Sequence, residues 1–438
     1  MCYLGAMKFV DAAKSVSKFE NMGLESAVLA SLEKLSVSVP TEIQARALPV
    51  GLVGKDLIAV AETGSGKTLG FVLPILNKLE LAPGSRALIL VPTREMALQI
   101  FQVVEKLRVD RPITSSVIIG GERDNKHNKE LKKMPSLIVA TPGRLNDLLR
   151  NNKLLLQGLK TLVIDEADVM LDMGFMPQLK DIHATLRGDR QTLMFSASFN
   201  TKTEVVAKLF MKSASVAMIR SAGSEKPVES LTQKVIFLAP GMKNQQMQDE
   251  INAVTGSVIV FTANQETCEI AGRYLREYSH KSDFVHGGLN QSIRAKVLDR
   301  FREGKVRILV TTDLLARGLD VPSLELVVNF DLPPQPEDFV HRIGRTARMG
   351  RAGHAVTFLT PFDFRLYKQV KSFLVGAEEV SLDSKFKFVG DVTSSVQVPR
   401  VKAKPKAPKA SGGIKKKKYG TSTKRNTRPG AKIAKAGE

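Results

Sequence analysis

The segment from Leu57 to Leu79 constrains the fold more than any other. Leu57-Ile58-Ala59-Val60 is an apolar run of strand length, residues 61 to 68 read Ala-Glu-Thr-Gly-Ser-Gly-Lys-Thr, and Leu69 to Leu79 has the length and composition of a helix. A buried strand, a glycine-rich turn and a helix in that order belong to a parallel sheet wound by helices. The turn also carries chemistry. Gly64 and Gly66 let the backbone bend until its N–H groups converge on phosphate oxygens, with Thr63 and Ser65 in the same loop. Lys67 reaches the β and γ phosphates, Thr68 offers a hydroxyl to Mg²⁺, and the phosphates sit on a helix N-terminus.

A second apolar run, Leu162-Val163-Ile164, leads into Asp165-Glu166-Ala167-Asp168. Two adjacent carboxylates at the C-terminal end of a strand point into one cleft, so Asp165 is placed to complete the Mg²⁺ shell and Glu166 to polarise an attacking water. With its letters Asp-Glu-Ala-Asp, this stretch resembles the DEAD-box RNA helicase family, and the resemblance runs through many short motifs from about residue 19 to 360. Pro40-Thr41-Glu42-Ile43-Gln44 is similar to the motif by which that family selects adenine, and Phe19 matches its isolated base-stacking aromatic. The amide of Gln44 offers one acceptor and one donor, the complement of the adenine N6/N7 edge.

Strands alternate with helical patterns in two series. The first comprises 57–60, 87–91, 116–119, 137–140, 162–164 and 192–195; the second comprises 235–238, 258–261, 283–285, 306–310, 326–330 and 355–359. The expectation is an α/β chain of two tandem RecA-like domains, each a mostly parallel sheet flanked by helices. The ATP-binding domain spans 19–220, a small polar hinge 221–227, and the C-terminal helicase domain 228–375, with extensions at 1–18 and 376–438.

In the second half, Thr312-Asp313 through Arg317-Gly318 to Asp320, and His341-Arg342 through Gly344-Arg345 to Arg348, resemble the family's second ATP face. The resemblance implies arginine fingers at Arg345 and Arg348, a ribose contact at Asp320 within the Gly318 loop, and His341 near the γ phosphate. Fingers in one domain and Lys67 and Asp165 in the other would allow hydrolysis only when the halves close. Pro92-Thr93-Arg94-Glu95, Gly120-Gly121 and Thr141-Pro142-Gly143-Arg144 each follow a strand and resemble backbone-gripping loops, which Gln291, Arg294 and Thr312 continue in the second domain. Hydroxyls, glycine N–H groups and arginines suit phosphate and sugar, so little sequence preference is expected. Ser196-Ala197-Ser198 stands where the family has Ser-Ala-Thr, the link between nucleotide state and strand separation.

Charge is concentrated at one end. Of a formal +21, residues 400 to 438 supply fourteen Lys and Arg against the single acid Glu438. Val401 to Lys409, Lys415 to Lys418 and Thr427 to Gly430 are too poor in core formers to offset chain entropy, so a disordered basic tail from about 395 is expected, binding nucleic acid without sequence choice. Cys2 and Cys268 form no CxxC pair, which points to a reducing compartment and no zinc, and no apolar run reaches the length of a membrane span. Met1 to Lys18 does not read as a targeting segment.

The resemblance implies an RNA-stimulated ATPase using ATP and Mg²⁺, which grips single-stranded and duplex RNA mainly by the backbone and opens a few base pairs of a duplex at a time. Ribosomal precursors and the mRNA-decay machinery are the expected partners. The compact core with a short basic tail looks like bacterial, cytoplasmic members, while Lys415 to Lys418 would also serve as a nuclear signal in a eukaryotic nucleolar protein. Two alternatives stand beside this reading: a translocating DNA motor, and an RNA clamp or chaperone that never separates strands productively. Departures from the family pattern at Ser36, Val37, Asn264, Phe339 and Ala347 bear chiefly on adenine affinity.

Overall fold

A computed structural model describes residues 8–9, 18–61, 64–109, 111–121, 131, 133–151, 155–186, 188–211, 216–220, 231–313, 324–347, 352–374 and 376–389. The hinge expected at 221–227 and the basic tail lie outside them.

Two sheets form, and every described strand pairing in them is parallel. The first contains β1 (Lys8–Phe9), β2 (Leu57–Val60), β3 (Arg86–Leu90), β4 (Ser115–Ile118), β5 (Leu137–Ala140), β6 (Leu159–Asp165), β7 (Gln191–Ser196) and β8 (Ala217–Arg220), in the order β1-β8-β2-β7-β6-β3-β5-β4. The second contains β9 (Leu231–Phe237), β10 (Val258–Thr262), β11 (Ser282–Val285), β12 (Ile308–Thr312), β13 (Leu326–Asn329), β14 (Gly353–Leu359) and β15 (Glu378–Ser381), in the order β11-β12-β10-β13-β14-β9-β15.

Side-chain alternation builds the layers. Leu57 and Ala59 of β2 face the core that contains Phe71 and Ile75, while Ile58 and Val60 face the opposite core with Leu88, Ile164 and Phe210. In the second sheet Ile259 and Phe261 point to one layer, and Val258 and Val260 to the other. Burial on both faces is why these strands read as continuous apolar runs.

Three elements escape the sequence pattern. β1 and β8 extend the first sheet, and β15 pairs with β9 beyond the boundary expected at 375. β15 is an edge strand in which Glu378 and Glu379 are exposed and Val380 is buried, so its polar half hides it from a hydrophobicity reading. After it, Phe386 and Phe388 pack on Phe237, Tyr367 and Phe364, so the second lobe's packing continues to this point. The strand expected at 306–310 starts at Ile308, because Val306 N–H is taken by the Arg300 carbonyl and Arg307 N–H by that of Lys281.

Strand order places the chemistry. β2, β7 and β6 are neighbours, so the loops after them bring the phosphate loop, Ser196-Ala197-Ser198 and Asp165-Glu166 to one half of the carboxyl edge. β3, β5 and β4 carry Pro92–Glu95, Thr141–Arg144 and Gly120-Gly121 to the other half. In open parallel sheets ligands bind at this edge.

Candidate functional site

Lys67 opens the helix Lys67–Leu81 directly after Gly66, whose φ of 94° is left-handed. Gly66 is fixed by its neighbour as well as by its turn. Gln44 Nε2 donates to the Gly66 carbonyl at 2.9 Å, and a Cβ on Gly66 would stand 2.6 Å from that nitrogen. Gln44 Oε1 in turn accepts the Thr41 N–H at 2.8 Å as half of a capping box that starts the helix Glu42–Leu52. The amide expected to read adenine therefore also clasps the phosphate loop, and it keeps one N–H and one lone pair for a base. Phe19, expected to stack on that base, is only 2% exposed and belongs to the first core.

Lys67 Nζ lies 2.8 Å from Glu166 Oε1, with both side chains buried. Burial works to lower the Lys67 pKa, but Glu166 and Asp165 outweigh it and hold the ammonium above its ordinary value. Asp165 is 4% exposed, and its carboxyl is pushed up to about 7 by burial and then by the charge of Glu166. Glu166 sits at φ 54°, ψ 54° as N-cap of the helix Ala167–Asp172, a left-handed backbone that a glutamate adopts only under constraint. A buried acidic pair beside Lys67, a phosphate loop and the half-buried Thr68 fits a divalent cation carrying an anionic nucleotide.

Asp168 links the carboxylate segment to β7. Its Oδ2 accepts both the N–H and the hydroxyl of Ser198, at 2.9 and 3.1 Å, while its own N–H donates to Ser196 Oγ at 3.3 Å. Serine thus supplies the hydroxyl for which the family has threonine. His341 of the second lobe lines a small crevice with Asp168, Ser198 and Asn200. Arg342 is 2% exposed, paired through two nitrogens with Asp313 at 2.5 and 2.7 Å, and stacked over Phe261 at 5.0 Å. Arg345 is buried, its Nε donating to the His341 carbonyl at 3.3 Å. Thr63, Gly318, Asp320 and Arg348 lie outside the described residues.

Of the expected grip residues, all but Gln291 and Thr312 line one groove. Pro92, Thr93, Arg94, Gly121, Thr141 and Arg144 line it together with Arg294 and Gly287 of the second lobe. The Arg94 guanidinium lies across Gly120-Gly121, where a Cβ on either glycine would come within 2.8 Å of its nitrogens. Thr93 Oγ1 accepts the Met96 N–H and so caps the helix Arg94–Leu107. Gln291 and Arg294 both bond Glu95. Thr312 is half-buried at the end of β12. Glu95, Asp168, Met173, Phe175 and Gly287 were not expected as site residues; Glu95, Asp168 and Gly287, which lies in His286-Gly287-Gly288, carried a local signal, whereas Met173 and Phe175 carried none.

A phosphate loop, buried carboxylates and a groove of basic and hydroxyl groups on two RecA-like sheets define a nucleoside-triphosphate-driven, nucleic-acid-handling motor. Residues 41–206 match the DEAD/DEAH box helicase family model, and residues 242–350 match the helicase conserved C-terminal domain. The chain is 38% identical over 361 residues to the Homo sapiens protein named probable ATP-dependent RNA helicase DDX47, covering 81% of this chain and 78% of that one. It is 39% identical to the Sclerotinia sclerotiorum protein named ATP-dependent rRNA helicase rrp3, covering 82% and 75%. Among solved structures, Saccharomyces cerevisiae Dbp5 bound to RNA and ADP BeF3 superposes with a TM-score of 0.73 at 31% identity, over 84% of this chain and 95% of that one. The chain belongs to the DEAD-box family of ATP-dependent RNA helicases. It is an ATP hydrolase and RNA helicase. Among the described residues no helix is long and apolar enough to cross a membrane.

Proposed function

We propose that this helicase opens short stretches of RNA by closing its two lobes on ATP and a single strand, and that ribosomal RNA precursors are its substrate. The observation that carries the first part is the groove in which Thr93, Arg94, Thr141 and Arg144 of one lobe meet Gly287 and Arg294 of the other. A strand held there by its backbone is gripped by both lobes, so lobe movement bends it, and a bent strand no longer fits an A-form duplex. The rRNA assignment rests on the fungal relatives named as rRNA helicases and on the basic tail. It favours the nucleus over the cytoplasm as the place of action.

In this reading Lys67, Thr68 and Asp165 hold the triphosphate and its Mg²⁺, Gln44 holds the adenine edge, and Phe19 supports the adenine loop from within the core. When bound, the cation neutralises phosphate charge. Glu166 orients water and accepts its proton, which requires that Lys67 release Glu166 and turn to phosphate. Arg345 and Arg348 meet the γ phosphate from the second lobe, with Gly318 and Asp320 at the ribose, and Asp168 relays the state of the site to Ser198. Boundaries at 19–220 and 228–375, joined by 221–227, suit this division of labour, with packing of the second domain running on through Phe388.

Strand displacement and ATP turnover, measured on the same RNA duplex and on DNA of equal sequence, test the reading. RNA should stimulate turnover and be displaced, whereas Glu166→Gln should bind RNA with ATP without displacing strands. A wild type that only holds RNA would make the protein a clamp, and equal stimulation by DNA would remove the RNA assignment.

A further inference from the structure

The groove has an apolar wall. Its lining is otherwise glycine, hydroxyl, guanidinium and carboxylate apart from Pro92, but Met173 and Phe175 stand together on one side. Phe175 is half-buried, packed against the core on that face of the first sheet, and its ring edge lies 3.9 Å from where a Cβ on Gly143 would stand. The chain holds it there. Gly174 N–H bonds the Leu171 carbonyl at 2.9 Å and Phe175 N–H the Met170 carbonyl at 3.0 Å, closing the helix Ala167–Asp172, while the Phe175 carbonyl accepts Leu179 N–H at 2.9 Å to start the next one. Guanidinium and hydroxyl groups satisfy phosphate and sugar oxygens, and a guanidinium so engaged is less free to stack on a base. A rigid ring beside them is free to do so, and stacking of this kind tolerates any base.

We propose that Phe175, flanked by Met173, is a nucleotide-contacting wall of the RNA groove that takes the base or ribose face of one residue of single-stranded RNA. This rests on the groove being the RNA site. It also places an RNA contact one short helix away from Asp165 and Glu166, and that helix carries Asp168, the partner of Ser198.

The test is fluorescence anisotropy of a labelled oligouridine RNA on the full-length protein with Mg²⁺, ADP and beryllium fluoride. Phe175→Ala and Phe175→Leu should each weaken binding about tenfold, and Phe175→Tyr, which keeps the ring, by less than about twofold. An abasic residue walked along the RNA identifies the contacted face. If one position removes the difference between wild type and Phe175→Leu, the base is the contact; if the difference survives every position, the ribose is. Should Phe175→Ala fail to fold, the Leu and Tyr variants decide. Phe175→Leu binding as tightly as wild type while Arg144→Ala binds weakly would overturn the wall and leave the groove standing. If Arg94→Ala and Arg144→Ala also bind as wild type, the groove itself is not the RNA site and the wall falls with it.

Discussion

Glu95 of the first lobe and Arg294 of the second meet at 2.5 Å with side chains 4% and 10% exposed, and Gln291 Nε2 donates to the same carboxylate oxygen at 3.1 Å. Glu95 Oε2, Arg294 Nε and Gln291 Oε1 are buried there without a hydrogen-bond partner among the described residues. A carboxylate facing a phosphate-binding groove repels its ligand unless it is neutralised, and Arg294 neutralises it. Arg294→Ala therefore weakens RNA binding twice over, by losing a cation and by exposing the anion to phosphate. A Glu95→Ala, Arg294→Ala pair should recover part of the loss, with a coupling of about 1–3 kcal/mol in a double-mutant cycle on RNA affinity. Strict additivity would mean that the pair is incidental.

Lys67 and Glu166 form a buried pair at 2.8 Å. Removing the ammonium in Lys67→Ala takes one partner from the buried carboxylate of Glu166, beside the buried Asp165, which costs about 3–5 kcal/mol in ligand-free unfolding experiments and abolishes hydrolysis. Lys67→Ala with Glu166→Gln should regain stability but not turnover. Glu166→Gln alone should slow single-turnover hydrolysis by about 10²- to 10⁴-fold, the worth of a positioned general base.

The pH response follows from Asp165, whose carboxyl is pushed up to about 7 from 3.8. A folded-state value above the unfolded one means that the folded chain holds the proton more tightly. Its stabilising contribution is thus complete below about 4 and is lost as pH rises through about 7 in ligand-free protein. Cation ligation needs the ionised form, so affinity for MgADP should rise about tenfold between about pH 6 and pH 8. Calorimetric titration checks this, and Asp165→Asn should bind weakly with no such slope.

Ser198 holds Asp168 through both its N–H and its hydroxyl. Ser198→Ala keeps the backbone bond and loses the other, about 0.5–1.5 kcal/mol of support. RNA-stimulated ATP turnover should persist, while duplex opened per ATP falls several-fold; Ser198→Thr should match or exceed wild type. Equal loss of both readouts in Ser198→Ala would place the residue in hydrolysis instead of coupling.

The tail from 395 to 438 is a matter of charge. Its deletion should weaken RNA binding and flatten the log–log salt dependence, since each phosphate contact on a duplex contributes about 0.9 to that slope. ATP turnover at saturating RNA should be nearly unchanged. An unaltered salt slope would show that the tail does not touch RNA.

The sequence alone determined what depends on a few neighbouring residues. A phosphate loop needs its glycines, lysine and hydroxyl within one turn, and paired carboxylates at a strand end need only each other, so Gly64 to Thr68 and Asp165-Glu166 could be read directly. Strands buried on both faces announce themselves as apolar runs, which is why parallel sheets were legible while the polar edge strand β15 was not. Strand order was decided only by tertiary packing. Nothing in the spacing of β2, β6 and β7 says that they are neighbours, yet that adjacency gathers Lys67, Glu166 and Ser198 at one edge and leaves β3, β5 and β4 to hold the groove. Packing also buried Phe19, turned Gln44 onto the phosphate loop, and set Glu95 against Arg294 and Phe175 against Gly143. These contacts join residues remote in the chain. They are selected by which surfaces the whole fold can bury together, a condition that no local stretch of sequence contains.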